Sequence, residues 1–239
     1  MFDGSPSENP VLLAVDTDDA GQARGIVAEL QDEVGGFKLG LEFFAAHGPQ
    51  SVRETAPAGR RLFLDLKLHD IPNTVAGAVT SAASACRPDL LTVHAQGGAA
   101  MIRAARQAAE AFGAARPAIV AVTVLTSLDD ADLEAMGVAG GATDQVVRLG
   151  RLAVAAGADG LVCSPKEIAP LREALGPDPM LVVPGIRMAG DALGDQKRIM
   201  TPRDAMAAGA TYIVVGRSIT AAEDRRAAAR RVAAEAGAA

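Results

Sequence analysis

The sequence contains only two cysteines, Cys86 and Cys163, among its 239 residues. Two thiols are too few for the disulfide framework of a secreted domain, and both lie in segments typical of a buried core, which indicates a reducing compartment. The chain also lacks a hydrophobic run of membrane-spanning length. Residues 1–10 have neither the basic segment nor the apolar segment of an export signal. We therefore expect a cytoplasmic protein that does not bind membranes.

An excess of positive charge is absent as well. The net charge is −6, so bulk electrostatics do not favour binding to nucleic acid or to an anionic membrane, and a small anionic substrate would need local cationic groups. No Pro/Ser-rich linker divides the chain, and 49% of its residues are hydrophobic, enough for one large core. We expect a single domain over residues 1–239, with a polar N-terminal extension (1–10) and an Ala/Arg-rich C-terminal helix (222–239).

Eight short apolar runs alternate with Ala-rich stretches of helical composition. Nearly continuous Val, Ile and Leu is typical of parallel strands covered on both faces, and every gap can hold a crossover helix. A closed barrel of this kind has about 250 residues, so the pattern predicts the α/β class and a single (β/α)8 TIM barrel. An open doubly wound sheet stays the alternative, because periodicity does not establish closure. The predicted strands are residues 11–16, 37–40, 62–68, 90–95, 118–125, 160–164, 180–184 and 212–216.

The third predicted strand and its exit turn carry charges in an apolar setting. Residues two apart in a strand share a face, so Asp65 and Lys67 are predicted to point the same way, and Asp70 follows where the strand should end. Withdrawing a carboxylate and an ammonium from water costs several kcal/mol each unless they pair closely. For an isolated Asp-x-Lys sequence, a structural ion pair at the rim of the sheet would be the favoured interpretation. The other polar residues of the chain decide between that interpretation and a reaction centre.

Other polar residues also lie at the ends of predicted strands. The carboxyl ends of barrel strands converge on one mouth, where barrel enzymes build their active sites, so we expect these residues to meet there. Taken singly, these residues have simpler roles. Asp16 could cap a helix, and Ser127 could cap a helix that begins near residue 128. Arg187 could be a solvated loop cation. The full set is Asp16, Lys38, Asp65, Lys67, Thr126, Ser127, Arg187, Gly216 and Arg217.

A phosphate site is expected at the same mouth. Barrels often hold phosphate after strands seven and eight, where backbone N–H groups bared by glycine are joined by cationic side chains. Here Arg187 follows the seventh predicted strand, and Gly216 and Arg217 follow the eighth. Between them, residues 188–197 form a glycine-containing stretch that is typical of a mobile lid and carries Gln196.

Taken together, these motifs resemble those of bacterial orotidine 5′-monophosphate decarboxylases, over the chain from Val11 to about Thr220. The residues that carry the resemblance are 65–74, 125–127, 184–187, 194–198 and 215–218. The resemblance implies a homodimeric barrel that needs no metal or other cofactor. It also implies the conversion of orotidine monophosphate to uridine monophosphate and carbon dioxide, the last step of de novo pyrimidine synthesis.

The resemblance further implies a catalytic role for four charged residues. Lys67 would be the proton donor, within a charged array of Lys38, Asp65 and Lys67. Asp70 of the partner subunit would complete that array, accompanied across the interface by the partner's Ile71 and the partner's Thr74.

The same resemblance implies how the substrate is held. Asp16 and Lys38 would hold the ribose, while Ser127 and Gln196 would reach the pyrimidine. The phosphate end would be served by Gln196, Gly216, Arg217 and Arg187, and the substrate-binding set is completed by Thr126 and Pro184.

Two other functions stay open. Barrels with a similar Asp-x-Lys-x-x-Asp motif act on sugar phosphates with magnesium, but they are expected to place a carboxylate ligand in the second strand, where this chain has Lys38, which repels a metal. The three histidines have no spacing typical of a metal cluster. A barrel that binds nucleotides without catalysis is the other alternative, and the intact set of Asp65, Lys67 and Asp70 speaks against it.

Overall fold

Eight parallel strands form a closed barrel in chain order, and the last strand pairs with the first. The computed structural model describes residues 9–188 and 200–238. The predicted (β/α)8 barrel is confirmed, and the open-sheet alternative is wrong. The strands are β1 (Val11–Val15), β2 (Gly36–Gly40), β3 (Arg61–Leu68), β4 (Leu90–His94), β5 (Ala118–Val122), β6 (Gly160–Val162), β7 (Met180–Val183) and β8 (Tyr212–Val215).

Helices connect the strands and cover the outside of the barrel. They are α1 (Ala20–Leu30), α2 (Leu41–Thr55), α3 (Pro72–Cys86), α4 (Gly98–Glu110), α5 (Asp130–Ala135), α6 (Ala142–Ala155), α7 (Ile168–Leu175), α8 (Pro202–Ala207), α9 (Arg217–Thr220) and α10 (Arg225–Glu235). The C-terminal helix predicted over residues 222–239 therefore begins and ends inside that range. No helix in the two described ranges is long and apolar enough to cross a membrane.

The core has two layers, as continuous apolar strands require. The side chains that fill the barrel interior include Leu12, Phe63, Met180 and Tyr212, all buried. A larger layer lies between the outer face of the strands and the helices. Both cysteines are buried and unpaired. Burial raises the pKa of Cys86 to about 11 and also raises that of Cys163, so both thiols stay protonated at neutral pH.

Several strands end one to three residues earlier than the apolar runs predicted. The run from Ala118 leaves the sheet after Val122, where the last ladder bond runs from the backbone N–H of Thr123 to the carbonyl of Val162 at 3.2 Å. Likewise β1 ends at Val15, so Asp16 stands just outside the strand. Asp16, Thr126 and Arg187 therefore lie on loops at the mouth, where a barrel keeps many of its functional groups. Lys38, Asp65 and Lys67, by contrast, lie within β2 and β3.

Strand β3 departs from regular geometry at the charged motif. Its register against β4 shifts between Leu64 and Leu68, a β-bulge, and Lys67 has a positive φ of 49°. Asp65 and Lys67 were expected on one face because side chains alternate regularly along a strand. The bulge interrupts that alternation, so the argument does not apply to this segment. The two side chains nevertheless come together, with the Lys67 Nζ 2.8 Å from the Asp65 Oδ2.

Candidate active site

An ion pair between Asp65 and Lys67 lies at the mouth of the barrel. The Lys67 Nζ donates to the Asp65 Oδ2 at 2.8 Å. Asp65 is only 9% exposed, so its carboxylate has lost most of its water and depends on protein partners. The apolar flanks supplied by Phe63 and Leu66, both buried, explain why the strand sequence draws this carboxylate inward.

Two further charges extend the pair into an alternating row. Lys38, from β2, places its Nζ 2.8 Å from the Asp16 Oδ1 and 3.9 Å from the Asp65 Oδ2. The order across the mouth is therefore Asp16, Lys38, Asp65 and Lys67, with opposite charges adjacent throughout. The four residues lie in or directly after three neighbouring strands, β1, β2 and β3, and each like-charged pair is separated by an opposite charge.

A cavity of about 150 Å³ opens beside this row. The Lys38, Asp65 and Lys67 side chains form its charged wall. The opposite wall is mostly apolar, which excludes water from one side of the charges and strengthens their field. Its lining is completed by Phe63, Val122, Val124, Leu125, Thr126, Val162, Pro184 and Val214.

An adjoining cavity of about 210 Å³ has a cationic end. It shares Lys38, Pro184 and Val214 with the first cavity, so the two form one continuous site. Arg187, Gly216 and Arg217 are among the residues that line it. Arg187 is 8% exposed and therefore is not a solvated loop cation. Guanidinium groups beside exposed backbone suit a phosphate.

Some predicted site residues lie away from these cavities. Asp70, Ile71 and Thr74 are exposed at the start of α3 and line neither cavity. Ser127 is exposed on the loop after β5 and does not line them either. Gln196 and all but the first residue of the predicted lid lie outside the described residues.

The simpler helix-cap roles do not hold for Asp16 and Ser127. Helix α1 is capped by Asp19, whose carboxylate accepts from the N–H groups of Gly21 and Gln22. These bonds lower the pKa of Asp19, since they favour its charged form. Helix α5 begins at residue 130 with Asp129 as its cap. Both candidate site residues are thus left without a capping function.

Two histidines stack beside Lys67 but form no metal centre. The rings of His69 and His94 lie 5.2 Å apart at 21°. Burial lowers the pKa of His94, and the nearby positive charges of His69 and Lys67 lower it further, so the neutral imidazole is favoured. Among residues 9–188 and 200–238, no group of three His, Cys, Asp or Glu side chains could hold a metal ion.

Sequence reasoning did not single out Thr92 or the apolar wall of the first cavity. Thr92 is fully buried in β4 and bonds to both Asp65 and Lys67. Its signal in the sequence is faint: one hydroxyl in the apolar run of β4. The apolar wall gives no signal, since its valines match the composition of any buried strand.

Fold and site together define a (β/α)8-barrel enzyme with a lysine–aspartate row beside a cationic pocket. The family model described as "Orotidine 5'-phosphate decarboxylase / HUMPS family" matches residues 9–232. The chain belongs to this family.

Individual relatives are similar to this chain in sequence or fold over nearly its whole length. A protein of Rhodospirillum rubrum named orotidine 5′-phosphate decarboxylase is 55% identical over 234 residues, covering 96% of this chain and 94% of the relative. One of the same name from Anaeromyxobacter dehalogenans is also 55% identical, covering 96% and 98%. The crystal structure of orotidine 5′-phosphate decarboxylase from Lactobacillus acidophilus is similar in fold, with a TM-score of 0.85 and 37% identity, covering 95% of this chain and 99% of that one.

Proposed function

We propose that this protein decarboxylates orotidine 5′-monophosphate to uridine 5′-monophosphate and carbon dioxide, without a metal or other cofactor. The observation that carries the proposal is the alternating row of Asp16, Lys38, Asp65 and Lys67 beside a partly apolar cavity. Relatives that bear the decarboxylase name at 55% identity support it. The reaction is the final step in the synthesis of uridine monophosphate.

The reaction needs a cation at one carbon atom. When carbon dioxide leaves C6 of the pyrimidine, the electron pair of the broken bond stays on C6 in an sp² orbital that does not delocalise easily. An ammonium beside that atom stabilises the developing charge and then transfers its proton to it. Lys67 fills this role, because its Nζ reaches the cavity and is held there by Asp65 at 2.8 Å.

Asp65 and Lys38 set the field around the proton donor. Asp65 lies where the substrate carboxylate would be crowded, and this repulsion is relieved as carbon dioxide departs. The larger contribution comes from cations already oriented before the reaction, since they need no reorganisation as charge develops on C6. Lys38 contributes to this array and, with Asp16, holds the ribose.

The rest of the substrate binds along the two adjoining cavities. The pyrimidine lies against the apolar wall, where Thr126 and Pro184 line the cavity and Ser127 reaches in from its loop. The phosphate binds at the other end through Arg187, Gly216 and Arg217. Gln196 contributes to both ends. A remote phosphate gives binding energy that can be used to order the reacting groups.

The working enzyme is a homodimer that shares its active sites. Asp70 of the partner subunit completes the charged row, and the partner's Ile71 and the partner's Thr74 contact the substrate. Two observations on this chain support that arrangement. Ile71 is 67% exposed, an unusual position for a large apolar side chain, and it follows directly on the charged motif of β3.

Magnesium-dependent chemistry on a sugar phosphate is disfavoured by Lys38. Its ammonium sits 2.8 Å from Asp16 and 3.9 Å from Asp65, the two carboxylates that a cation would otherwise bridge. A divalent ion in that space would face a fixed positive charge at contact distance.

The decisive experiment is to mix the purified protein with orotidine monophosphate and excess chelator and to follow the pyrimidine absorbance. We expect the substrate spectrum to be replaced by that of uridine monophosphate. Turnover that requires added magnesium would contradict the metal-independent mechanism. Binding of the nucleotide without any turnover, measured by calorimetry, would favour the non-catalytic alternative.

A further inference from the structure

The bulge in β3 places three residues opposite a single residue of β4. Leu64 pairs with Leu91 and Leu68 pairs with Val93, so Asp65, Leu66 and Lys67 all face Thr92. The backbone ladder cannot satisfy every polar group of such a segment. Lys67 also has a φ of 49°, a left-handed conformation that residues other than glycine rarely adopt. Something outside the ladder must hold this backbone.

The hydroxyl of Thr92 supplies that support at two points. It accepts a hydrogen bond from the backbone N–H of Lys67 at 2.8 Å, and it donates its own proton to the Asp65 Oδ1 at 2.9 Å. The second carboxylate oxygen, Oδ2, accepts from the Lys67 Nζ. Thr92 is therefore joined to both the main chain of the lysine and the carboxylate that orients its ammonium.

The hydroxyl suits this position because it donates and accepts at once. A hydroxyl has one proton and two lone pairs, so one atom serves both neighbours. Thr92 is fully buried and is not among the residues that line the two cavities, so its contacts with the site run through its neighbours. Without it, the Lys67 N–H and an oxygen of the buried Asp65 carboxylate would each lose a partner.

We propose that Thr92 is a positioning residue for the decarboxylation: it holds Lys67 in its left-handed conformation and sets the orientation of Asp65. The inference rests on the proposed function, and it adds a residue that acts only through its neighbours. Its loss should lower kcat far more than it raises KM, because the binding surfaces remain while the proton donor is displaced.

The test compares two substitutions at Thr92 with one at a matched threonine. Thr92→Val keeps the shape and removes the hydroxyl, whereas Thr92→Ser keeps the hydroxyl and removes a methyl group. Thr123 is equally buried, but its hydroxyl donates to a backbone carbonyl, that of Val162, at 3.0 Å. Thr123→Val therefore reports the cost of losing a buried hydroxyl as such.

We expect Thr92→Val to lower kcat about 100-fold, the loss typical when a reacting group is misplaced by about 1 Å, with little change in KM. Thr92→Ser and Thr123→Val should keep kcat close to that of the wild type, and thermal unfolding of all variants should show that each is folded. If Thr92→Val and Thr123→Val have equal kcat values, or if serine fails to rescue a folded protein, Thr92 has no positioning role. Absence of turnover in the wild type would instead overturn the proposed function.

Discussion

At the scale of single residues, Lys67 unites two features that rarely occur together. Its backbone is left-handed without being glycine, and its ammonium is paired with a buried carboxylate. Stability alone does not explain either feature, since a positive φ costs of order 1 kcal/mol or more and a buried ion pair gains little against an apolar replacement. Such a costly arrangement is typical of a reaction centre.

Replacing Lys67 by alanine should reduce kcat by many orders of magnitude while leaving the protein folded. The variant loses both the proton donor and the cation facing C6, and each ~1.4 kcal/mol of lost transition-state stabilisation slows turnover tenfold. Lys166→Ala is the matched control, because that lysine is exposed after β6 and should not affect turnover. Single-turnover rates measure the effect. A Lys67→Ala protein with a tenth of the wild-type kcat at saturation would refute the role of Lys67.

Replacing Arg217 by alanine should act on the phosphate and not on the chemistry. Arg217 lines the cationic cavity but not the cavity that contains Lys67. We expect kcat/KM for orotidine monophosphate to fall strongly, because the binding energy of the phosphate dianion no longer helps to order the active site. The slow reaction of orotidine, which lacks phosphate, should hardly change. An equal proportional loss on both substrates would show that Arg217 supports the fold or the pyrimidine site.

At the scale of elements, periodicity predicts the strands well and the bulge not at all. Continuous apolar runs identify β1 to β8 because strands covered on both faces need them. The sequence of residues 61–68 does not predict the bulge, in which β3 has more residues than the segment of β4 that it pairs with. A bulge depends on the neighbouring strand as well. The proximity of Asp65 and Lys67 was predicted, but from a regular alternation that the bulge interrupts, and the support by Thr92 was not predicted. The hydrophobic pattern of a single strand likewise does not predict whether the sheet closes into a barrel.

Two glycines in the strands mark places where neighbouring backbones approach too closely for any side chain. A Cβ on Gly160 would lie 2.6 Å from the carbonyl oxygen of Met180, and one on Gly36 would lie equally close to that of Arg61. Backbone atoms of a closed barrel cannot move aside without disturbing the ladder. Glycine is required here for space, since neither residue has a positive φ.

Gly160→Ala should therefore lower the free energy of unfolding by about 1–3 kcal/mol, the usual cost of overpacking. Gly25→Ala is the matched control, because its Cβ would meet nothing within 4 Å on an exposed face of α1. There alanine should raise stability by up to about 1 kcal/mol. Urea unfolding of both variants gives the comparison. Equal stabilities would mean that the barrel has room at Gly160.

At the scale of the whole molecule, shared active sites can be tested by mixing two inactive variants. Lys67→Ala and Asp70→Ala each lose one half of the proposed site. A hybrid dimer has one site with both lesions and one with neither, so random exchange should restore about a quarter of the wild-type activity. Mass spectrometry of the mixture shows whether exchange has occurred. Hybrids that form but stay inactive would place Asp70 outside the neighbouring site.

The pairing of β1 with β8 joins the first and last strands of the barrel: Val11 pairs with Ile213 and Leu13 with Val215. During synthesis, β1 therefore cannot complete its pairing until β8 has been made. At 5–20 residues per second, the ribosome needs roughly 10–40 s to make the intervening residues. Throughout that interval one side of β1 presents unpaired N–H and C=O groups to any other strand. The nascent chain is thus exposed to wrong pairing at β1 until β8 has been synthesised and paired with it.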